Sequence, residues 1–207
     1  MQINLPKLYP ITDARLSGLS HAEQVRRLSA GGATFVQLRE KHLAPREFYR
    51  EAEEALRVAR SLGVRLIIND RVDIALALKA DGVHLGQDDL PPDAARKLLG
   101  EDAIIGFSTH SIEQASVAAR LPLDYLAIGP IFETSSKENP DPVVGLDGLR
   151  RVREITGEIP LVAIGGIRPE NIREVLKAGA DAVAVISLLL AEPPEIETRT
   201  REILATL

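Results

Sequence analysis

The sequence contains no cysteine among its 207 residues. Disulfide bonds, a catalytic thiol and a cysteine-ligated zinc site are therefore excluded. The N-terminal segment MQINLPKLYPITD has no apolar core of the kind found in secretion signals, and no run of about 18 apolar residues predicts a membrane span. Because these absences fit a reducing compartment, we expect a cytoplasmic protein.

The sequence also lacks an excess of basic residues. Its 25 Lys and Arg residues against 30 Asp and Glu residues give a formal net charge of −5, which disfavours general binding to nucleic acid or to a membrane surface. Anionic small molecules remain compatible, because a few local Arg and Lys side chains can hold a phosphate group. We therefore expect small phosphorylated substrates as binding partners, without nucleic acid or membrane, and homo-oligomerisation stays open.

Short apolar runs alternate with amphipathic helical stretches along the chain. Two of the runs, LVAIGG and AVAVIS, are continuously apolar, which is typical of parallel strands buried on both faces. Helical patterns lie between the runs, for example at residues 46–62 and 169–178. Strands are predicted at residues 8–13, 35–41, 65–70, 82–87, 104–109, 125–132, 161–166 and 182–187.

Eight βα units in succession fit either a closed barrel or an open doubly wound sheet. An open sheet usually has a glycine-rich turn after its first strand, whereas here the Gly165-Gly166 turn follows the seventh predicted strand. The loops after strands seven and eight commonly bind phosphate in barrels. We therefore expect an α/β (β/α)8 TIM barrel, eight parallel strands with surrounding helices, as a single catalytic domain over residues 1–207.

The second predicted strand ends in QLREK, with Gln37, Arg39 and Lys41 at alternate positions. Alternation places these three side chains on one face of the strand. If that face is the barrel interior, two cations there require an anionic partner such as a diphosphate. The alternative is that Arg39 and Lys41 are ordinary surface charges beyond the strand.

Acidic and amide side chains follow the third and fourth predicted strands. Asn69 could bond a heterocycle and Asp70 could bind a cation, but Asp70 could equally cap the following helix. The alternative for Asp88 and Asp89 is again helix capping, because they precede Pro91, which suits a first helical turn. One of them with Asp70 would form a sparse magnesium site, and spacing does not choose between Asp88 and Asp89.

The fifth predicted strand ends in Ser108-Thr109-His110. His110 is a candidate acid–base group near neutral pH, although a structural or exposed histidine is the commoner situation. Ser111, directly before Ile112, is a good N-cap for the next helix. The catalytic role of His110 therefore stays open.

The last three predicted strands are followed by hydroxyl and glycine residues. Thr134, Ser135, Ser136 and Lys137 suit a phosphate clasp, and the loop over residues 133–144 is either a lid over the site or an ordinary surface loop. Gly165-Gly166 and Ile186-Ser187 end strands seven and eight, where backbone N–H groups can approach a phosphate. Turn formation before Pro169 is the plainer explanation of the glycines.

Taken in order, these motifs resemble the thiamine-phosphate synthase family. The matching stretches are YPITD, QLREK, IINDRVDIAL, ADGVHLGQDDLP, IGFSTH, DYLAIGPIFETSSK, PLVAIGGI and AGADAVAVIS. Each stretch alone is weak, but the ordered set covers most of the chain and is highly specific. One departure is Ser136, where the family commonly has threonine, and the hydroxyl group is retained.

The resemblance implies a transferase that joins hydroxymethylpyrimidine diphosphate to hydroxyethylthiazole phosphate, or to its carboxylated form, and releases diphosphate. It implies Mg2+ as cofactor with Asp70 and Asp89 as ligands, and so selects Asp89 over Asp88. It assigns the diphosphate substrate to Gln37, Arg39, Lys41, Asn69, Ser108 and Lys137. It assigns the thiazole phosphate to Thr134, Ser135, Ser136, Gly166, Ile186 and Ser187.

The resemblance also implies a dissociative reaction, in which diphosphate leaves before the thiazole nitrogen attacks. This agrees with the residues themselves, since no activated side-chain nucleophile is visible. Two alternatives are a related thiazole tautomerase and a non-catalytic barrel that binds thiamine precursors. The tautomerase is disfavoured because its catalytic histidine would fall at Pro130 and because both Asp70 and Asp89 are present.

Overall fold

The computed structural model describes residues 3–134 and 141–207. Within them, eight parallel strands form a closed barrel in the order β1-β2-β3-β4-β5-β6-β7-β8, with β8 pairing to β1. The strands are β1 Leu8–Thr12, β2 Phe35–Leu38, β3 Arg65–Asn69, β4 Gly82–Leu85, β5 Ile104–Thr109, β6 Tyr125–Ile128, β7 Leu161–Ile164 and β8 Ala182–Val185. The predicted TIM barrel is confirmed.

Helices cover the outside of the barrel. In the described part of the chain they are α1 Ala14–Ser17, α2 His21–Ala30, α3 Pro45–Leu62, α4 Val72–Leu78, α5 Pro92–Leu99, α6 Ile112–Ala118, α7 Gly145–Thr156, α8 Ile172–Lys177, α9 Ser187–Leu190 and α10 Ile196–Thr206. As predicted, Ser111 caps α6 by accepting a hydrogen bond from the Gln114 N–H. None of the helices among these residues is both long and apolar enough to cross a membrane.

Several strands are shorter than predicted, because the polar residues at their ends belong to loops. The second strand ends at Leu38 and not at Lys41, and the sixth ends at Ile128 and not at Phe132. Pro130 follows a cis peptide bond after Gly129 and has no N–H to continue the ladder. The eighth helix begins at Ile172 and not at Pro169.

Two apolar layers hold the barrel together. Alternate strand residues face outward and pack against the helices, as Leu8, Val36 and Leu38 do. The other residues fill the interior, where a smaller cluster includes Tyr9, Phe35, Ile67, Tyr125 and Val162. Interior space is limited, because a Cβ atom added at Gly106 would lie 2.0 Å from Cζ of Tyr125. Glycine at position 106 therefore makes room for the Tyr125 ring.

A repeated aspartate contact closes the amino-terminal end of the barrel. The residues just before β4, β6 and β8 are Asp81, Asp124 and Asp181, and each accepts a backbone N–H at 2.8 Å from the start of the preceding strand, from Leu66, Ile105 and Leu161. Arg96 also donates to Asp124 at 2.7 Å. These contacts satisfy N–H groups that the ladder leaves open, so this end of the barrel is built for stability and the opposite end is available for a site.

Candidate active site

Polar side chains collect inside the barrel at the carboxyl-terminal ends of β2 to β5. Gln37, Asn69 and His84 are buried polar residues of three neighbouring strands, and half-buried Ser108 lies on the fourth. The catalytic residues of (β/α)8 barrels lie at this end of the strands. The structure therefore brings together three residues predicted from sequence, and adds His84.

The two cations of QLREK lie just past β2, and each already contacts a carboxylate. Arg39 Nη1 lies 3.3 Å from Asp13 Oδ2, with the Arg39 side chain 25% exposed. Lys41 Nζ forms an ion pair with Asp70 Oδ2. The alternation is confirmed for Gln37, which faces the interior and donates to the Tyr9 hydroxyl. Arg39 and Lys41 lie on the loop beyond the strand, where Arg39 is half-buried and Lys41 is exposed, so the predicted alternation along the strand does not extend to them.

Glu40, between the two cations, anchors their loop to the helical layer. Its carboxylate accepts N–H bonds from His42 at 2.6 Å and Leu43 at 3.2 Å, and contacts buried His21 at 3.3 Å. Burial alone would raise the pKa of Glu40, but these hydrogen bonds outweigh it and lower that pKa. Burial lowers the pKa of His21 below its usual range. His21 Nδ1 also bonds the Thr12 hydroxyl at 2.8 Å, which ties the cationic loop to β1.

Asp70 and Asp89 form a carboxylate pair beside Lys41. Asp70 has a left-handed backbone (φ 63°), and the N-cap of α4 is Arg71, so the alternative that Asp70 caps this helix is wrong. The capping alternative before α5 is also wrong, because its N-cap is Pro91 and Pro92 is the first helical residue. Asp89 instead turns back to accept the Gly86 N–H at 2.7 Å.

The pair has an unfavourable electrostatic balance by itself. Burial is the main cause that raises the pKa of Asp70, and the Asp89 carboxylate raises it further, whereas Lys41 acts in the opposite direction. A cation between the two carboxylates would relieve this repulsion. Across residues 3–134 and 141–207, no group of three or more acidic or histidine side chains could surround a metal ion. Two carboxylates are enough protein ligands for a divalent cation that takes its other ligands from water and phosphate.

Asn69 carries a donor that has no partner. The residue is only 6% exposed. Its buried Nδ2 atom makes no hydrogen bond within the described structure. A buried unsatisfied N–H group costs about 1–3 kcal/mol. The donor lies at the end of β3, next to Asp70 and therefore at the end of the barrel where a ligand would bind. An acceptor atom of a bound ligand would satisfy it.

A buried hydrogen-bond chain crosses the barrel and was not predicted from sequence. Gln37 Nε2 donates to Tyr9 OH at 3.1 Å, the Tyr9 and Tyr125 hydroxyls lie 2.8 Å apart, and Tyr125 OH lies 2.9 Å from His84 Nδ1. His84 Nε2 lies 2.8 Å from Ser108 Oγ. Burial lowers the pKa of His84 to about 4. The histidine is therefore a neutral hydrogen-bonding group near pH 7.

His110 lies on the loop that follows β5 and contacts the backbone. Its Nδ1 lies 2.8 Å from the Gly129 carbonyl oxygen and 3.5 Å from Asp141 Oδ2. Its backbone N–H donates to Gln114 Oε1 at 2.7 Å. The loop that joins β6 to α7 begins at Gly129 and includes Asp141. By contacting both residues, the His110 side chain connects two parts of this loop to the end of β5.

The glycines after β7 allow two segments of the chain to approach each other. A Cβ atom added at Gly165 would lie 2.6 Å from Pro130 Cα, and one at Gly166 would lie 2.5 Å from the Glu133 carbonyl oxygen. Both glycines also have positive φ angles, 98° and 65°. Because they have no Cβ atom, these glycines allow the start of the β6–α7 loop, residues 130–133, to pack directly against the end of β7.

The remaining predicted residues lie on this loop, directly after β8, or outside the described residues. Half-buried Thr134 ends the described part of the loop, and exposed Ser187 is the first residue of α9, directly after Ile186. Ser135, Ser136 and Lys137 lie outside the described residues, as does much of the predicted 133–144 segment. Helix α7 begins at Gly145, where the prediction ended the loop.

Comparisons with known proteins agree over nearly the whole chain. The sequence profile described as thiamine monophosphate synthase matches residues 8–189. Thiamine-phosphate synthase from Koribacter versatilis is 49% identical, with 98% of this chain and 97% of the relative aligned. The enzyme of the same name from Chloroflexus aurantiacus is also 49% identical, over 89% and 85% of the two chains.

A solved structure gives the same result in three dimensions. Thiamine phosphate pyrophosphorylase from Pyrococcus furiosus superposes with a TM-score of 0.84 at 40% identity, covering 97% of this chain and 96% of its own. Sequence and fold thus agree on one assignment, and the chain belongs to the thiamine monophosphate synthase family.

Proposed function

We propose that residues 1–207 form one catalytic domain that makes thiamine phosphate. The reaction joins hydroxymethylpyrimidine diphosphate to hydroxyethylthiazole phosphate, or to its carboxylated form, and releases diphosphate. The names of its relatives, thiamine-phosphate synthase and thiamine phosphate pyrophosphorylase, support this activity. The residue roles and the metal rest on the geometry at the mouth of the barrel.

One observation carries the proposal: two cations and a carboxylate pair lie at the carboxyl-terminal end of the barrel, next to a strand that carries a buried donor without a partner. Arg39 and Lys41 supply the positive charge, Asp70 and Asp89 the carboxylates, and Asn69 Nδ2 the donor. A diphosphate ester of a nitrogen heterocycle matches each of these groups. Its anionic end suits the cations, and its ring supplies an acceptor for Asn69.

The chemistry that these residues perform is stabilisation of a leaving group. As the carbon–oxygen bond breaks, negative charge grows on the departing diphosphate, and Arg39 and Lys41 are placed to stabilise it. Lys137, which lies outside the described residues, is proposed to act with them. Magnesium held by Asp70 and Asp89 would add positive charge at the diphosphate. Catalysis then comes from electrostatic stabilisation and positioning, and it requires no side-chain nucleophile.

The acceptor substrate is proposed to bind on the opposite side of the mouth. Its phosphate would lie against the loop and strand ends formed by Thr134, Ser135, Ser136, Gly166, Ile186 and Ser187. Support comes from the position of Gly166 and Ser187 after β7 and β8, the part of a barrel that commonly binds phosphate. The thiazole nitrogen would then face the carbon that diphosphate leaves.

The test is an endpoint assay with purified protein and both substrates, with magnesium or with a chelator. Thiamine phosphate is read by oxidation to fluorescent thiochrome, and reactions that lack one substrate are the controls. The proposal expects product only when both substrates and magnesium are present. Folded protein that binds both substrates without product would contradict it and would favour the non-catalytic binding barrel.

A further inference from the structure

The hydrogen-bond chain inside the barrel joins Gln37 and Ser108, two residues that the family resemblance assigns to the diphosphate substrate. It runs from Gln37 through Tyr9, Tyr125 and His84 to Ser108, with every step between 2.8 and 3.1 Å. Its three middle members are buried, at 1%, 0% and 7% exposure. The two ends are therefore connected across the interior through protein groups.

Such a chain has a direction, because each hydroxyl group has one proton. The Tyr9 hydroxyl accepts from Gln37 Nε2, so its own proton is directed to Tyr125. Tyr125 then donates to His84 Nδ1, which leaves the proton of the neutral imidazole on Nε2. His84 Nε2–H donates to Ser108 Oγ, and the Ser108 proton is left for a bound substrate.

The opposite direction is also internally consistent, but it does not suit an anion. If Gln37 presented its carbonyl oxygen to Tyr9, every donor would reverse and Ser108 would donate to His84. The Ser108 hydroxyl would then offer only lone pairs, and no proton, to a bound substrate. An anionic diphosphate oxygen requires a donor, so the direction that follows from Gln37 Nε2 as the first donor is the one that fits the substrate.

We propose that His84 and Tyr125 are positioning residues that hold the Ser108 hydroxyl as a hydrogen-bond donor to the diphosphate substrate, through the imidazole tautomer protonated at Nε2. The inference rests on the proposed function for the identity of the substrate. It goes further in giving a role to interior residues that lie behind the substrate-contacting groups.

The packing around the chain keeps it rigid. The His84 and Tyr125 rings are stacked, with centroids 5.5 Å apart and an interplanar angle of 21°. Tyr9 meets Tyr125 edge-on at 5.8 Å and Phe35 at 4.8 Å. Removing one hydroxyl by a Tyr→Phe change therefore interrupts the chain and retains the ring that fills the space.

The direct test reads the tautomer of His84 by NMR. The protein has four histidines, so 15N-histidine labelling gives a simple long-range 1H–15N spectrum, and His84→Gln identifies the His84 signals. We expect the Nε2–H tautomer alone in the unmodified protein and a mixture of both neutral tautomers in Tyr125→Phe. An Nδ1–H tautomer or a mixture in the unmodified protein, or no change in Tyr125→Phe, would overturn the proposal.

Kinetics test the consequence for the reaction. Tyr125→Phe should lower kcat about 3- to 10-fold, the effect of one neutral hydrogen bond, with a smaller change in KM because charge on diphosphate grows in the transition state. Ser108→Ala should cost less in the Tyr125→Phe background than in the unmodified protein. Fully additive losses, or an unchanged kcat in Tyr125→Phe, would contradict the role.

Two further variants separate positioning from folding. Tyr9→Phe interrupts the same chain at another link and serves if Tyr125→Phe does not fold. Tyr49→Phe removes a hydroxyl from the surface of α3, where it bonds Glu53 at 3.4 Å, and should leave kcat unchanged. The NMR result does not depend on turnover, so failure of the proposed function and failure of the chain are distinguishable.

Discussion

Asp89→Asn should stabilise the metal-free protein while it impairs the reaction. The change removes one charge of the Asp70–Asp89 pair, and an amide oxygen can still accept the Gly86 N–H that Asp89 holds at 2.7 Å. The Lys41–Asp70 ion pair is present in both proteins, so its contribution cancels in the difference. What remains is mainly the repulsion between two carboxylates in a half-buried position.

The size of this repulsion follows from Coulomb's law. Two unit charges about 4 Å apart interact by roughly 1 kcal/mol in water and 4 kcal/mol at an effective dielectric constant near 20. The Asp70 side chain is 18% exposed, which places the pair between these limits. We expect a gain of about 1–2 kcal/mol in the free energy of unfolding, or about 2–8 °C in Tm for a chain of this size.

The assay is thermal unfolding of both proteins in a chelator and in a magnesium series. Magnesium should raise the Tm of the unmodified protein, because binding to the folded state stabilises it, and should raise that of Asp89→Asn much less. Asp88→Asn is the matched control, since Asp88 is exposed and should leave the magnesium response intact. If Asp89→Asn is less stable than the unmodified protein in chelator and responds equally to magnesium, the reasoning is refuted.

Three further predictions concern the cations, the closed end of the barrel and pH. Arg39→Ala and Lys137→Ala should each lower kcat about 100-fold or more with little change in urea midpoint, and normal turnover would disprove their roles. Asp124→Ala should cost about 2–4 kcal/mol of stability, because the Ile105 N–H loses its acceptor and half-buried Arg96 loses its carboxylate partner; Asp124→Asn, which keeps an acceptor, should cost less, and equal urea midpoints would contradict this. Because the pKa of His21 is lowered in the fold, the unfolded chain binds more protons as the pH falls through about 6.5, and this histidine should lower the free energy of unfolding by at most about 2 kcal/mol at pH 5. Urea midpoints of His21→Gln should depend less on pH, and an equal dependence would exclude this histidine as the cause.

The sequence predicted the barrel well because its signals are local. Continuous apolar runs and helical periodicity are read within a few residues, and all eight strands were placed in order. Strand ends were placed less well. Residues 39–41 continue the alternation of polar and apolar residues in the sequence, but the hydrogen-bonded strand β2 ends before them, at Leu38. The sequence shows polarity at these positions, whereas the end of pairing depends on the neighbouring strands.

The site was less predictable where it depends on distant residues. Asp70 after a strand and before a helix fits both a cap and a ligand, and the cap is excluded only by its left-handed backbone and by the N-cap at Arg71. Tyr9, His84 and Tyr125 were missed because their hydrogen bonds span 41 and 116 positions. A signal did exist, since alternation within VHLG and DYLAIG turns a polar or aromatic side chain toward the barrel interior.

The most direct test of the central claim follows the reaction by 31P NMR with the protein in excess over both substrates. We expect the diphosphate ester to disappear while free diphosphate and thiamine phosphate appear in equal amounts, and only with magnesium present. Spectra in which both substrates bind and no new phosphorus signal arises would contradict it.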